Sequence, residues 1–370
     1  MHGSFLKVRG KWAIRFDVHV DGVRKQKQIG GFITKTEASA ALSTITADLE
    51  KDQYKSPTKV TLAEFIDVWL ADYVKPTLAP QTYHFYHTLT KLYIKKHLGH
   101  IKLMNVRSQM IERFYGKLRT ESSLSPTSMR HVHTTFRALL NCAVKWDYIR
   151  ESPLKRVKAP PKSQTQIMYW DPNVIPFALD LFEATSMNWY VRVALATGLR
   201  EGEICALKED NMDFQNKTFK VTETAQRLHG KGMICKAPKT RESMSTLPMT
   251  PYVESLFKEK IHEMKENRIR NANIYEKKFI GYLSVWPDGR LIDPNYISEQ
   301  FRKIVRNQKK VPVITFHGLR HSCASWLLHN GVDMKTVQEI LRHSDFRITA
   351  NTYSHVMMER KRDALESLYL

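Results

Sequence analysis

Apolar and polar residues alternate near the start of the chain. The apolar positions of this stretch are Trp12, Ile14, Phe16, Val18 and Val20. A period of two predicts a β-strand. The Asp-Gly pair at 21–22 predicts a hairpin turn into a second strand, which we expect to end at the Gly-Gly pair 30–31. Thr34 stands three residues before Glu37, the spacing of a capping box at the start of a helix. The pattern therefore predicts a small β-sheet with one helix packed on it.

From residue 61 to about 158 the apolar spacing changes to the threes and fours of amphipathic helices. One apolar face is formed by Leu62, Phe65, Ile66, Trp69 and Leu70, and another by Met110, Ile111, Phe114, Tyr115 and Leu118. Two more helices are predicted at about 80–96 and 127–146, which makes a four-helix module. Polar and proline-containing segments at 54–60 and 159–164 predict linkers on either side.

The rest of the chain mixes helical patterns with a β-rich patch. That patch contains the strings TFKVTE, GMICK and SMSTLPM. The whole pattern predicts a multidomain α+β protein with domains at 1–55, 61–158 and 165–370. We expect the first to be a small N-terminal β-sheet plus helix, the second all-α, and the third mostly α with a small β-sheet.

Charge narrows the range of functions. The chain has 58 Lys and Arg against 37 Asp and Glu, a formal net charge of +21. Such a surplus favours a polyanionic partner, nucleic acid first, although ribosomal and membrane-surface proteins share it. In 61–158 basic residues outnumber acidic ones by more than two to one, which suits a DNA backbone; ordinary solvated helix faces are the alternative. Four widely spaced cysteines and the lack of a long apolar run predict a cytoplasmic protein without a membrane partner.

Four strings in the second half of the chain contain candidate chemistry. In ATGLREGEICAL, Glu203 stands three residues after Arg200 at a predicted helix start and could orient its guanidinium; a surface ion pair is the alternative. In TFHGLRHSCAS, His317 and Arg320 share a helix face, with His321 beside them. A phosphate pocket could use that face. An ordinary amphipathic helix with satisfied polar residues is the alternative. The string KAPKTRES places Lys239 between two predicted strands, and LRHSDFRITANTYSHV contains His343 and Tyr353 near the end of the chain.

The order Arg, Lys, His-x-x-Arg, His, Tyr strongly resembles the tyrosine recombinase family, the integrases of phages and integrative elements. The resemblance rests on T-G-L-R-x-x-E at 197–203, H-x-L-R-H at 317–321 and the string at 343–355, and it covers nearly the whole chain. It implies a phosphate pocket made by Arg200, Lys239, His317, Arg320 and His343, with Tyr353 as the nucleophile. The chain departs from the family pattern at Arg342, where relatives usually carry Gly, and at Ser245, where they carry Arg.

These side chains suit phosphodiester cleavage, which needs an in-line nucleophile, cations for the phosphate oxygens and a proton for the leaving oxygen. Tyr353 would attack the phosphorus to give a 3′-phosphotyrosyl link, with Lys239 as general acid for the 5′ oxygen. Two arginines would hold the phosphate oxygens, His317 would take the tyrosine proton, and His343 would add a hydrogen bond. The sequence shows no carboxylate cluster suited to two metals, so we expect no metal ion and no cofactor.

The resemblance also implies roles for the other domains. Residues 1–55 are similar to an arm-binding domain, whose DNA-facing candidates are Arg15, Arg24, Lys25 and Lys27, and 61–158 to a core-binding domain. The implied partners are core- and arm-type attachment sites in double-stranded DNA, three further copies in a homotetramer, and proteins that bend DNA or set direction. The C-terminal segment, with apolar Val356, Met357, Leu365 and Leu368, would dock on a neighbouring protomer or on its own domain.

The implied function is integration and excision of a mobile element, such as a prophage or conjugative transposon, on the nucleoid of a bacterial host cell. Two other functions fit the same residues. A type IB topoisomerase shares the tyrosine chemistry but would relax supercoils without a defined site. A catalytically idle DNA-binding regulator would keep the basic domains and lose the cleavage.

Overall fold

The computed structural model describes residues 3–20, 23–50, 60–122, 124–161, 168–228, 230–237, 245–342 and 365–366. The chain divides into two compact units, Met1–Gln164 and Thr165–Leu370.

The first unit begins with the predicted sheet and helix. Strands β1 (Ser4–Val8), β2 (Lys11–Val20) and β3 (Val23–Phe32) pair antiparallel in that order, and α1 (Lys35–Glu50) follows. The capping box is present: Glu37 N–H donates to Thr34 Oγ1 at 3.1 Å, and Thr34 N–H donates to Glu37 Oε2 at 3.3 Å. A small core joins the helix to one face of the sheet; its buried residues are Ile14, Phe16, Val18 and Ala38. β3 continues past the Gly-Gly pair where the pattern placed its end.

The rest of the first unit is helical. The helices are α2 (Leu62–Trp69), α3 (Lys75–Thr77), α4 (Pro80–Leu89), α5 (Lys96–Leu98), α6 (Ser108–Glu121) and α7 (Pro126–Lys145). Wide π-helical turns at Leu70–Val74 and Thr90–Lys95 join α2 to α3 and α4 to α5, so these elements form four rods, as predicted. Their apolar faces share one core, in which Trp69 stacks on Tyr86 with ring centroids 5.3 Å apart.

The first π-helical turn changes which positions are buried. Lys75 N–H donates to the carbonyl oxygen of Leu70, five residues earlier. Beyond this turn Val74 is buried and Leu78 is partly buried, whereas Tyr73, which stands four residues after the buried Trp69, is exposed. Pro76 follows directly and has no N–H to give, which favours an irregular turn at this point. The sequence pattern predicted neither wide turn.

The second unit is mostly helical with two small sheets. Its helices are α8 (Ile175–Asp180), α9 (Asn188–Thr197), α10 (Glu201–Cys205), α11 (Pro251–Arg270), α12 (Pro294–Arg306), α13 (Phe316–His329) and α14 (Met334–Leu341). Its strands are β4 (Met212–Asp213), β5 (Thr218–Val221), β6 (Thr224–Leu228), β7 (Gly232–Lys236) and β8 (Ser245–Pro248). β4, β5 and β8 form one antiparallel sheet, and β6 and β7 form a hairpin. The predicted β-rich patch and the α+β fold class are confirmed.

Local capping and aromatic packing fix the helices that matter for the site. The side chains of Thr315 and Asp333 accept hydrogen bonds from backbone N–H groups in the first turns of α13 and α14. Trp170, Phe182 and Phe301 contact one another in the large core beneath α13. A smaller cluster, with Leu328 and Leu341 buried, joins α13 to α14. Within the described ranges, no helix is long and apolar enough to cross a membrane.

Candidate active site

A tight turn sets the place of Arg200. Helix α9 ends at Gly198, which has a left-handed backbone with φ of +62°. A Cβ at this position would lie 2.6 Å from Leu341 Cδ2, so both the conformation and the space favour glycine. The chain then turns into α10, with Arg200 as the residue before its first turn.

Glu203 binds Arg200 through both the backbone and the side chain. The Arg200 N–H donates to Glu203 Oε2 at 2.8 Å, and Arg200 Nη1 donates to Oε1 at 2.8 Å. The Arg200 side chain is 38% exposed, whereas that of Glu203 is only 3% exposed. The predicted orientation of Arg200 by Glu203 is present, and the alternative of a surface ion pair is wrong because the carboxylate is buried.

Arg320 lies one turn into α13 and is buried, with 1% of its surface exposed. Its Nη1 donates to the carbonyl oxygen of Gly198 at 2.6 Å, and its Nη2 donates to the carbonyl oxygen of Leu341. One guanidinium therefore ties the turn before Arg200 to the end of α14. Arg320 is therefore not on a solvent-facing surface, and its guanidinium is satisfied within the protein by two backbone carbonyls.

A third guanidinium belongs to the same cluster. Arg342 ends α14 in a left-handed conformation, with φ of +54°, and its Nη2 lies 2.6 Å from Glu203 Oε2. Sequence reasoning noticed Arg342 only as a departure from the family pattern and assigned it no role. Because Glu203 is 139 residues away in the chain, no local spacing could have revealed the pair.

The two histidines of α13 contact each other. The rings of His317 and His321 meet edge to face, with centroids 4.9 Å apart. The pKa of His317 lies below its usual value because of desolvation by its surroundings and the positive charges of Arg320 and Arg200. Burial, together with His317 and Arg320, lowers the pKa of His321 to about 4. Both rings are therefore neutral at pH 7, and His321 takes up a proton only in acid.

A cavity of about 690 Å³ opens beside these histidines. His317, His321 and Thr315 form one side, and Arg302 and Ser298 of α12 form part of the other. The cavity has a neutral imidazole on one side and both a cation, Arg302, and an anion, Glu299, on the other. A group bound there would reach both sides.

The hydrogen-bonded cluster carries an excess of positive charge. Arg200, Arg320 and Arg342 contribute three guanidinium groups, and Glu203 contributes one carboxylate. Burial would raise the pKa of Glu203, but the charges of Arg342 and Arg200 and the hydrogen bonds from Arg200 outweigh it, so the pKa lies below its usual value. With the carboxylate ionised, the formal charge of the cluster is +2. Such a cluster attracts an anion, and the partly exposed guanidinium of Arg200 has planar donors that match the oxygens of a phosphate.

Three of the six predicted site residues lie outside the described residues: Lys239, His343 and Tyr353. Lys239 falls in the chain between β7 and β8, and His343 follows Arg342 directly. The structure brings together the other three, Arg200, His317 and Arg320, which come from two helices that start 115 residues apart in the sequence.

The four DNA-facing candidates of the first unit do not share one face of the sheet. Val18 pairs with Lys25 and Phe16 with Lys27, so both lysines lie on the face that α1 covers. Arg15 and Arg24 lie on the opposite face. On that face Arg24 Nη2 donates to Asp17 Oδ2 at 2.6 Å.

Comparisons with known proteins agree with this geometry. Residues 177–360 match the Phage integrase family, 61–119 the Phage integrase N-terminal SAM-like domain, and 5–49 the Arm DNA-binding domain. The chain is 30% identical over 328 residues to the XerC-like tyrosine recombinase of Caldanaerobacter subterraneus subsp. tengcongensis, covering 84% of this chain and 83% of the relative. It is 22% identical to the ICEBs1 integrase of Bacillus subtilis, with 90% of each chain covered.

Solved structures show the same fold. The Tn1549 transposon integrase in complex with a circular intermediate DNA superposes with a TM-score of 0.70 at 19% identity, covering 84% of this chain and 99% of that one. The lambda integrase tetramer bound to a Holliday junction gives 0.56 at 15% identity, with 92% and 95% covered. Since a relative 30% identical is matched over more than four fifths of its length, the chain belongs to the tyrosine recombinase family, the enzymes of site-specific DNA recombination.

Proposed function

We propose that this recombinase is an integrase that cuts and rejoins duplex DNA through a 3′-phosphotyrosyl intermediate. Tyr353 Oη attacks the scissile phosphorus, the bond from phosphorus to the 5′ oxygen breaks, and Lys239 gives that oxygen its proton. Arg200 and Arg320 bind the non-bridging oxygens, and His343 adds a hydrogen bond. The observation that carries the proposal is the 38% exposed guanidinium of Arg200, which buried Glu203 orients and which has the buried cations Arg320 and Arg342 behind it, so that the site is preorganised and net positive for a phosphate.

His317 is the proposed acceptor of the tyrosine proton. Its lowered pKa keeps the imidazole neutral at pH 7, and it lies at the mouth of the cavity rather than inside the protein core. A tyrosine has a reference pKa of about 10, so a neutral base near it is needed for attack at neutral pH.

The covalent link conserves the energy of the phosphodiester. A 5′-hydroxyl from a partner strand can attack the phosphotyrosine, re-form a phosphodiester and release Tyr353 with its proton, without ATP. This reversibility supports strand exchange between two DNA duplexes. Because exchange needs four cleaved strands, we propose a homotetramer on DNA, in agreement with the lambda integrase tetramer on a Holliday junction.

The proposed domains are 1–55 for arm-type sites, 61–158 for core-type sites and 165–370 for catalysis. The match of 5–49 to an arm DNA-binding domain supports binding of arm-type sites, and the likeness to a lambda integrase dimer bound to a core site supports binding of core-type sites. We propose the uncovered face of the sheet, with Arg15 and Arg24, as its DNA face. A prophage or conjugative element is the proposed cargo, bacterial nucleoid DNA the target, and proteins that bend DNA or set direction the accessory partners.

A suicide DNA substrate tests the proposed chemistry. A nick beside the cleavage site lets the leaving fragment diffuse away and traps the covalent adduct, which runs as a larger species on a denaturing gel. Wild type should form the adduct and Tyr353→Phe should not. Tyr252→Phe, which alters an exposed tyrosine of the same unit, is the matched control and should react normally.

The other outcomes separate the alternatives. An adduct that survives Tyr353→Phe would show that another residue is the nucleophile. DNA binding by wild type without any adduct would indicate an idle regulator, and relaxation of supercoils without a defined site would indicate a topoisomerase.

A further inference from the structure

We infer that Arg342 is a positioning residue of the active site, which holds Glu203 so that Glu203 can hold Arg200. The inference rests on the proposed phosphate-binding role of Arg200. Arg342 is not one of the six predicted site residues, and the family resemblance identifies it only as a departure from glycine.

The carboxylate of Glu203 lies between two cations. Its Oε1 accepts from Arg200 Nη1 at 2.8 Å, whereas its Oε2 accepts from the Arg200 backbone N–H at 2.8 Å and from Arg342 Nη2 at 2.6 Å. Both oxygens are therefore used. The Glu203 side chain cannot turn without breaking the contact that sets the direction of Arg200.

The Arg342 side chain acts from inside the protein. It is 1% exposed, against 38% for Arg200, so Arg200 is the cation that can reach a substrate and Arg342 is the one that stays behind the carboxylate. Arg342 Nε and Nη1 have no hydrogen-bond partner among the described residues, so Glu203 is the group that fixes the orientation of this guanidinium.

The backbone conformation of Arg342 indicates that its ion pair with Glu203 offsets a conformational cost. Arg342 has φ of +54°, a conformation that L-residues other than Asn and Asp rarely adopt and that glycine adopts freely. An arginine at a position that favours glycine is disfavoured unless its side chain makes a stabilising contact. Here that contact is a buried ion pair with Glu203. If one partner were removed, the charge of the other would stay buried without it.

Removal of Arg342 should also change the titration of Glu203. The charges that act on this carboxylate are those of Arg342 and Arg200, and the carboxylate in turn acts on His317, which the charge of Arg320 also reaches. Burial raises the pKa of Glu203, and the charge of Arg342 is the largest contribution in the opposite direction. Without it the carboxylate should take up a proton at a higher pH and release Arg200.

The experiment measures single-turnover cleavage of saturating suicide substrate by the full chain from pH 5 to 9. Arg342→Met should bind DNA like wild type but cleave about 10- to 100-fold more slowly, since small displacements of a positioning group have effects of this size. Its cleavage should also fall more steeply in acid than that of wild type, because protonation of Glu203 adds to the loss that wild type already shows. Arg342→Lys should recover part of the rate, and Lys335→Met, which removes an exposed cation from the same helix, should behave as wild type.

A mutant cycle with Arg200→Ala separates this inference from the proposed function. If Arg342 acts through Arg200, then Arg342→Met should cost little more in the Arg200→Ala background. A wild-type rate and pH profile for Arg342→Met, or an undiminished loss in that background, would overturn the inference. A normal rate for Arg200→Ala would overturn the role of Arg200 itself. Should Arg342→Met fail to fold, Arg342→Gly suits the left-handed backbone, and its cleavage at the wild-type rate would also overturn the inference.

Discussion

Arg320 donates a hydrogen bond of 2.6 Å to the carbonyl oxygen of Gly198, which is 122 residues earlier in the chain. The same guanidinium also binds the carbonyl oxygen of Leu341. These two carbonyls precede Arg200 and Arg342, so one buried side chain sets the backbone at the base of both neighbouring arginines. Arg320 therefore has a structural function as well as its proposed contact with phosphate.

Replacement of Arg320 by Met should lower both stability and activity. The loss leaves two buried carbonyl oxygens without this donor, and unpaired buried polar groups cost about 1–3 kcal/mol each. We expect the free energy of unfolding of the catalytic unit to fall by about 2 kcal/mol or more, measured by urea denaturation, and the covalent adduct to disappear. Arg192→Met, at a more exposed arginine of α9, is the control. Equal stability of the two variants would contradict the structural role.

The pH dependence of cleavage should report the lowered pKa of His317. Because the imidazole must be neutral to accept the tyrosine proton, activity is lost as the pH falls through its folded-state pKa, which lies below the usual 6.5. Cleavage at subsaturating DNA reflects the free enzyme. Its acid limb should therefore lie below pH 6.5. A limb at or above that value would show that His317 is not the base, and His317→Gln should remove the limb together with most of the rate.

The stability of the catalytic unit should fall in acid because of His321. Its pKa is lowered from 6.5 to about 4, so the unfolded chain takes up the proton first. The contribution of this group is constant above pH 6.5 and is lost progressively as the pH falls towards 4, up to about 3 kcal/mol. Thermal unfolding at pH 7 and pH 4.5 should show a smaller decrease for His321→Leu than for wild type. An identical decrease would contradict the burial of this ring.

The two faces of the N-terminal sheet should differ in DNA binding. Each phosphate contact contributes about −0.9 to the slope of log affinity against log salt. Arg15→Gln and Arg24→Gln, on the uncovered face, should weaken binding to an arm-type site and reduce this slope by about one each. Lys25→Gln, which removes a charge from the same strand but from the other face, should change neither. Equal effects at Arg24 and Lys25 would contradict the proposed face.

Much of the fold could be predicted because its signals are local. Alternation defined β2, the Thr34–Glu37 spacing defined the start of α1, and apolar spacing defined the four helical rods. The faces of the sheet were less accessible. Lys25 and Lys27 looked equivalent to Arg15 and Arg24 by composition, but strand register, which a list of basic residues does not contain, places them on opposite sides.

The site was predicted from motifs and only partly from physics. Arg200 and Glu203 are three residues apart, so helix geometry could suggest their contact. The contact of Arg320 with Gly198 and that of Arg342 with Glu203 each join residues more than 100 positions apart, and they depend on how α13 and α14 pack against the turn after α9. Such contacts follow from tertiary packing, and single-sequence periodicity carries no information about them.

In the wide turn at Leu70–Val74 the backbone hydrogen bond spans five residues instead of the four of an α-helix. This turn therefore contains one residue more than an α-helical turn. Val74 at the end of this turn is fully buried and Leu78 beyond it is partly buried, so the core continues past the extra residue. A chain shorter by one residue at this point could bury the same surface with an ordinary α-helix.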